Sequence, residues 1–371
     1  MNTAQDQPFS VQIAESLMKR HPLLSQKWAY EWGVALKGIE QVWIETGQAP
    51  YFAYIKENID AFVLPDGSIR TYQSEEYNID HINTGKLLFG LFRETGNARY
   101  EKALHLLRSQ MRTHPRTAEG GFWHKNIYPH QMWLDGIYMA SPFLVEYART
   151  FDQPELFDDV ARQIILIQTH TRDPKTGLLY HGWDESREQR WANPETGCSP
   201  HFWGRATGWF VMALVDVLDF LPGDHAQRQP IIAIFKQTAD ALIGVQDRQS
   251  GLWYQVLDQA NRPGNYLEAS ASCMIVYAIA KAIRRGILGR DYRKVVEDGR
   301  AGIRKALVEI DPDGMVNLRS ICGVAGLGGT PYRDGSYEYY TGEPVVTNDY
   351  KGVGPLLLAM VETERLRRAK D

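Results

Sequence analysis

Cysteine is scarce. Cys198, Cys273 and Cys322 are the only three in 371 residues. An odd number at such wide spacing builds no disulfide framework and no paired metal-ligand motif, and it points to a reducing compartment. Positive charge is not in excess. Forty-one Lys and Arg against forty-five Asp and Glu leave a net charge of −4, the wrong sign for a nucleic-acid binder. No apolar run approaches the roughly 18–20 residues that cross a bilayer. The opening stretch, MNTAQDQPFSVQIAESL, has no basic region followed by an apolar core, so the expectation is no secretory signal and a cytoplasmic location. There is no HExxH, no CxxC and no spaced histidine cluster, so no metal is expected. No glycine-rich phosphate loop follows a strand; "GVAGLGG" (Gly323–Gly329) reads as a flexible loop.

What the chain does have is punctuation. From Ser25 to Gly47 apolar residues recur three or four apart, at Trp28, Trp32, Leu36, Ile39 and Val42, which predicts a helix. It stops at "ETG", and "QAPYFAYIKENI" starts another. The same turn returns in "FRETGNARYEKALHLL", where Glu94 stands 49 residues after Glu45. Related helix–turn–helix units surround Phe151, Gly223 and Gly286, and Asp349–Arg368 supplies a last helix. Between units run longer aromatic loops, such as "LPDGSIRTY", "EGGFWHKNIYP" and "KTGLLYHGWDES". Each opens with a glycine turn and predicts a short β-hairpin. About twelve helices with alternating short and long connections predict an all-α, (α/α)6 toroid as a single domain over 1–371. The long loops would gather at one mouth, around the positive ends of the inner helices, which favours an anionic ligand. An open solenoid is the alternative.

One segment stands out against this pattern. "HQMWLDGIYM" (His130–Met139) reads as helix, yet Asp135 sits among Trp133, Leu134, Ile137, Tyr138 and Met139. A carboxyl in apolar surroundings is costly unless paired, and such groups serve as catalytic acids. Counting back from the turns places Asp135 and Asp80 at the starts of adjacent inner helices. Two neighbouring carboxyls raise one another's pKa, so one can stay protonated near neutral pH. Asp135, in the more apolar setting, is the candidate proton donor. The competing possibility is that each merely caps its helix. Arg205, in "WGRATGW", can clamp a carboxylate in bidentate fashion, or it can tie two helices together. Trp133 and Trp203 can stack on a sugar or fill the core. His124 and His181 hold matching loop positions, in "FWHKN" and "LYHGWD", and can bond hydroxyls.

The motifs "HQMWLDGIYM", "NIDHINTG", "WGRATGW", "DGSYEYY" and "KGVGP" together resemble those of the unsaturated rhamnogalacturonyl hydrolases, glycoside hydrolase family 105. The likeness runs over nearly the whole chain, and the unsaturated glucuronyl hydrolases are related. It implies an (α/α)6 barrel that removes the terminal 4,5-unsaturated uronic acid from polysaccharide-lyase products. The reaction is hydration of the C4=C5 enol ether, without metal or organic cofactor. By resemblance Asp135 is the general acid/base, and Asp80 holds the substrate and keeps Asp135 protonated. His124, Trp133, His181, Trp203 and Arg205 form the binding site, with Tyr30 or Trp32 from the first inner helix. The partner is an unsaturated oligosaccharide, bound by a monomer or homodimer; nucleic acid and membrane are not expected.

Four rivals remain. An unsaturated glucuronyl hydrolase would use the same chemistry on glycosaminoglycan- or ulvan-type fragments. An inverting glycosidase would need two carboxyls roughly 6.5–9.5 Å apart across an anomeric centre. An epimerase would need histidine bases deep in the barrel. A sugar-binding module would have no use for a buried acid pair.

Overall fold

The computed structural model describes residues 7–369. The first six residues, part of the stretch behind the no-signal expectation, lie outside the described residues.

Six helical segments close into a ring. They are α2 (Tyr30–Thr46), a 3₁₀ segment (Ile79–Gly85) running straight into α4 (Lys86–Thr95), α6 (Leu134–Thr150), α8 (Gly204–Phe220), α10 (Ala269–Arg284) and α13 (Tyr350–Arg368). Each packs on the next, and α13 packs back on α2. Outside them lie α1 (Phe9–Arg20), α3 (Ala49–Asp60), α5 (Ala98–Thr113), α7 (Glu155–Thr171), α9 (Arg228–Gly244) and α11 (Arg293–Gly302). Each outer helix leans on an inner one, α1 on α13 at the seam of the ring. This is the (α/α)6 toroid. A short helix, α12 (Tyr337–Gly342), belongs to the last long loop. Among the described residues no helix is long and apolar enough to cross a membrane.

The repeat is visible atom by atom. α2 and α4 end on Gly47 and Gly96, with φ of 66° and 62°. Their N–H groups donate to Trp43 O and Phe92 O at 2.8 Å each. Glycine enters this left-handed conformation without a Cβ penalty and so stops the helix. Thr46 and Thr95 tuck their hydroxyls onto Val42 O and Leu91 O. The inner helices are buried nearly all round: in α8 every residue from Gly204 to Val215 is inaccessible. Helices of that kind can only be core elements.

Small residues let the ring close. A Cβ at Gly354 of α13 would stand 2.8 Å from the backbone C and O of Val34 in α2. Backbone cannot move aside as a side chain can. Gly354→Ala is therefore expected to cost about 1–3 kcal/mol, read as a lower urea midpoint with unchanged slope.

The predicted hairpins are mostly single bridges, such as Val63↔Ile69, Arg116↔Phe122 and Arg172↔Leu179. Among the described residues only β3 (Val308–Ile310) and β4 (Val316–Leu318) form a local ladder of three residue pairs. Elsewhere the loops pair with each other across units. β1 (Gln131–Trp133) runs antiparallel to β2 (Gly182–Asp184), and β5 (Ile321–Cys322) to β6 (Val345–Val346). The helix expected over 130–139 accordingly begins only at Leu134. Likewise α2 begins at Tyr30, not Ser25.

Candidate active site

The inner helices start at one mouth of the ring, where the long loops fold over a cavity of about 220 Å³. Asp80, His124, Lys125, Trp133, Asp135 and Arg333 are among its lining. Both aspartates sit where counting from the turns put them. Asp135 is the second residue of α6, delivered by strand β1; Asp80 is in the 3₁₀ turn before α4. Neither is a cap: the cap before Asp80 is Asn78, whose side chain accepts from Asp80 N, and the residue before α6 is Trp133.

The two carboxyls are held in unlike ways. Lys125 Nζ lies 2.7 Å from Asp80 Oδ2, and His124 Nε2 lies 3.6 Å from Oδ1. Burial alone would push the Asp80 carboxyl up, but Lys125 and His124 outweigh it and the carboxyl is held below its ordinary range. The expectation that Asp80 shares a raised, mutually coupled titration with Asp135 is thus corrected: Asp80 is a stable carboxylate because a lysine neutralises it. Burial lowers His124 to about 4, so its ring is neutral near pH 7. It stacks on Trp133, centroids 4.2 Å apart, and Tyr128 stacks on the same indole.

Asp135 has a different neighbour. Its side chain is 13% exposed, and His181 Nε2 stands 3.1 Å from Oδ2 without hydrogen-bond alignment. Among the described residues it has no lysine or arginine within ion-pair reach. On its far side His181 Nδ1 meets the Tyr340 hydroxyl at 2.7 Å, and both residues are buried. A phenol can donate or accept. It can therefore serve either tautomer of His181, one suited to a carboxylate at Asp135 and the other to a carboxylic acid. Tyr340→Phe removes that hydroxyl alone. The expected result is a loss of about five- to tenfold in kcat with little change in KM, together with an altered pH profile.

The other candidates are placed as follows. Trp203 is 1% exposed; its indole N–H donates to Gln255, and its ring packs on His181 and Tyr340. It props His181 and is absent from the cavity lining. Arg205 is equally buried. Its Nε donates to Ser270 Oγ at 2.7 Å, Nη2 donates to Cys322 O, and Glu268 Oε1 is 3.6 Å away. It ties α8 to α10. Trp32 does not fit a binding role: it is 1% exposed, donates to Lys27 O and stacks on Phe62. Its place at the mouth is taken by Tyr30.

Sequence reasoning missed Lys125, Arg333 and Tyr340. Arg333 reaches the cavity from the last long loop, fixed by donation to Gly328 O, Leu327 O and the Tyr128 hydroxyl. Among the described residues it has no carboxylate partner, so its charge is available to an anion. The same loop brings Val324 and Ala325 to the lining and buries Leu327 against Trp133 and Trp191. "GVAGLGG" is thus a wall of the site rather than a loose segment.

Residues 9–367 match the sequence model of Glycosyl Hydrolase Family 88. The chain belongs to that family. A glycoside hydrolase from family 105 of C. acetobutylicum ATCC 824 is 48% identical, with a TM-score of 0.95 over 97% of this chain and 100% of that one. Protein Atu3128 of Agrobacterium fabrum is 45% identical over 238 residues, 62% of this chain and all of its own. Unsaturated rhamnogalacturonyl hydrolase YesR of Bacillus subtilis is 28% identical over 318 residues, 84% of this chain and 85% of its own. The family 88 membership makes this chain a glycoside hydrolase, and its structural neighbours include the family 105 enzyme of C. acetobutylicum.

Proposed function

We propose that this family 88 protein removes the terminal 4,5-unsaturated uronic acid from lyase-generated rhamnogalacturonan disaccharide by hydrating its enol ether. The observation that carries the reading is the unlike pair of carboxyls in one cavity. Asp80 is locked as an anion by Lys125, whereas Asp135 has only His181 beside it. Two acids in contrasting environments are the arrangement that separates an anchor from a proton donor. Asp135 protonates C4, and positive charge develops at C5 and the ring oxygen. Water adds at C5 and gives its proton to the Asp135 carboxylate. The C5 hemiketal opens, and the hemiacetal left at C1 expels the aglycone sugar. Asp80 accepts hydrogen bonds from substrate hydroxyls. Arg333 faces the substrate carboxylate, and the Trp133–Tyr128 stack forms the apolar wall.

The test follows the ultraviolet absorbance of unsaturated rhamnogalacturonan disaccharide. The conjugated enol ether absorbs and the hydrated product does not, so the signal decays as rhamnose is released. A stable signal beside cleavage of saturated oligosaccharides would replace hydration with ordinary glycosidic displacement. Decay only with glucuronyl fragments would keep the chemistry and change the substrate.

A further inference from the structure

The ring has a second mouth. There the inner helices enclose a cavity of about 320 Å³. Seven basic and six acidic side chains line it, so one positive charge is in excess when all are ionised. Most of the charges are paired. Lys281 meets Asp216 and Asp219 at 2.6 and 2.7 Å, and Arg284 meets Glu362 at 2.6 Å. Among the described basic residues of the lining, Lys86 is the exception. It opens α4, is 4% exposed, and its Nζ has no hydrogen-bond partner. The ammonium stands 3.6 Å from the centroid of the Tyr138 ring, whose own hydroxyl is buried and unpartnered. An aromatic face offsets part of the cost of burying an ammonium, but its three N–H donors still need acceptors. The charges that reach it, Asp216, Lys37, Glu146 and Glu40, act from beyond hydrogen-bond distance.

This cavity is separate from the catalytic one. Tyr30, which lines the catalytic cavity, meets Trp209 edge-on at 6.2 Å, and Trp209 stacks on Tyr138 at 4.8 Å. These rings from α2, α8 and α6 stand between the two.

We propose that the second cavity binds a small oxyanion, a phosphate or a carboxylate, with Lys86 Nζ as its principal donor. An excess positive charge excludes a metal cation as the better occupant, and a lone buried ammonium is stabilised most by an anion that accepts its hydrogen bonds. Burial lowers the Lys86 ammonium to about 7 and raises the Glu146 carboxyl, which also lines the cavity, to about 7, so below that pH Lys86 is charged, Glu146 is neutral and the site is most positive.

Calorimetric titration with phosphate and with galacturonate at about pH 6, where the ammonium is charged, tests this. The expected result is saturable binding of at least one anion to wild type, weakened about tenfold or more in Lys86→Met. The tighter anion identifies the source. Galacturonate binding that survives in Lys86→Met belongs to the catalytic pocket and counts against the proposal. Tungstate soaked into wild-type crystals gives a readout that needs no variant, with electron density expected in hydrogen-bond reach of Lys86 Nζ. Binding of neither anion, undiminished binding in Lys86→Met, or no tungstate at Lys86 would overturn the inference.

Discussion

Asp135→Asn is expected to lower activity on the unsaturated disaccharide by about 10³-fold or more, since a positioned acid supplies most of the barrier reduction in proton transfer. The fold should be unaffected. Asparagine has the same shape, and the one neighbour it must satisfy, His181 Nε2 at 3.1 Å, can donate to its amide oxygen or accept from its amide nitrogen. A melting temperature within about 1 °C of wild type would mean a stability change below about 1 kcal/mol. A purely structural role for Asp135 would give the reverse, an active but destabilised variant. The identity of the protonated atom can be read separately. In deuterated water the wild-type product should carry deuterium at C4, detected by NMR. Activity in a folded Asp135→Asn enzyme, or product without deuterium at C4, would remove Asp135 from the role of carbon acid.

The ring was legible in the sequence because its turns are local. "ETG" at residues 45–47 and 94–96 builds the same glycine-capped stop twice. Counting back one helix length from such turns placed Asp80 and Asp135 at one mouth without tertiary information. Facing direction was harder to read. A residue advances about 100° round a helix axis, so two positions along give roughly 200°. Tyr30 facing the cavity therefore turns Trp32 toward Phe62 and the outer layer. Both are aromatic, and composition alone cannot tell them apart. Arg205 and Trp203 belong to a motif that sits at the right depth, but their partners Ser270, Glu268 and Gln255 lie about fifty to sixty-five positions later in the chain. Arg333 comes from farther still, through a loop whose path depends on Leu327 burying against Trp133. One missed residue had a usable signal. Lys125 directly follows His124 in an aromatic loop, and a lysine there faces the same need for a carboxylate that an aspartate at a helix start can meet.

Lys125→Met should be the most damaging change at the mouth after Asp135→Asn. Asp80 and Lys125 are 11% and 22% exposed, so the pair is only weakly screened by solvent. Removing the lysine leaves a carboxylate among His124, Tyr30 and the apolar wall, at a cost of about 3 kcal/mol. The sign with pH follows. In wild type the depressed Asp80 contributes stability above its unfolded value of about 3.9, and that is lost as pH falls through the lower folded value. In Lys125→Met the main opposing group left is His124, whose ring is neutral near pH 7, so burial prevails and raises the Asp80 carboxyl. The group then destabilises the fold at neutral pH and ceases to do so on acidification, so the pH of maximum stability moves to the acid side. Chemical denaturation across pH measures this directly. Activity should fall about a hundredfold, because a misplaced substrate anchor costs that much. The double variant Asp80→Asn, Lys125→Met separates the two effects. It removes the stranded charge, so stability should return, while activity should stay low because no carboxylate remains to hold the substrate. If the double variant recovered activity along with stability, Asp80 would be a structural partner of Lys125 and the pocket would depend on Asp135 alone.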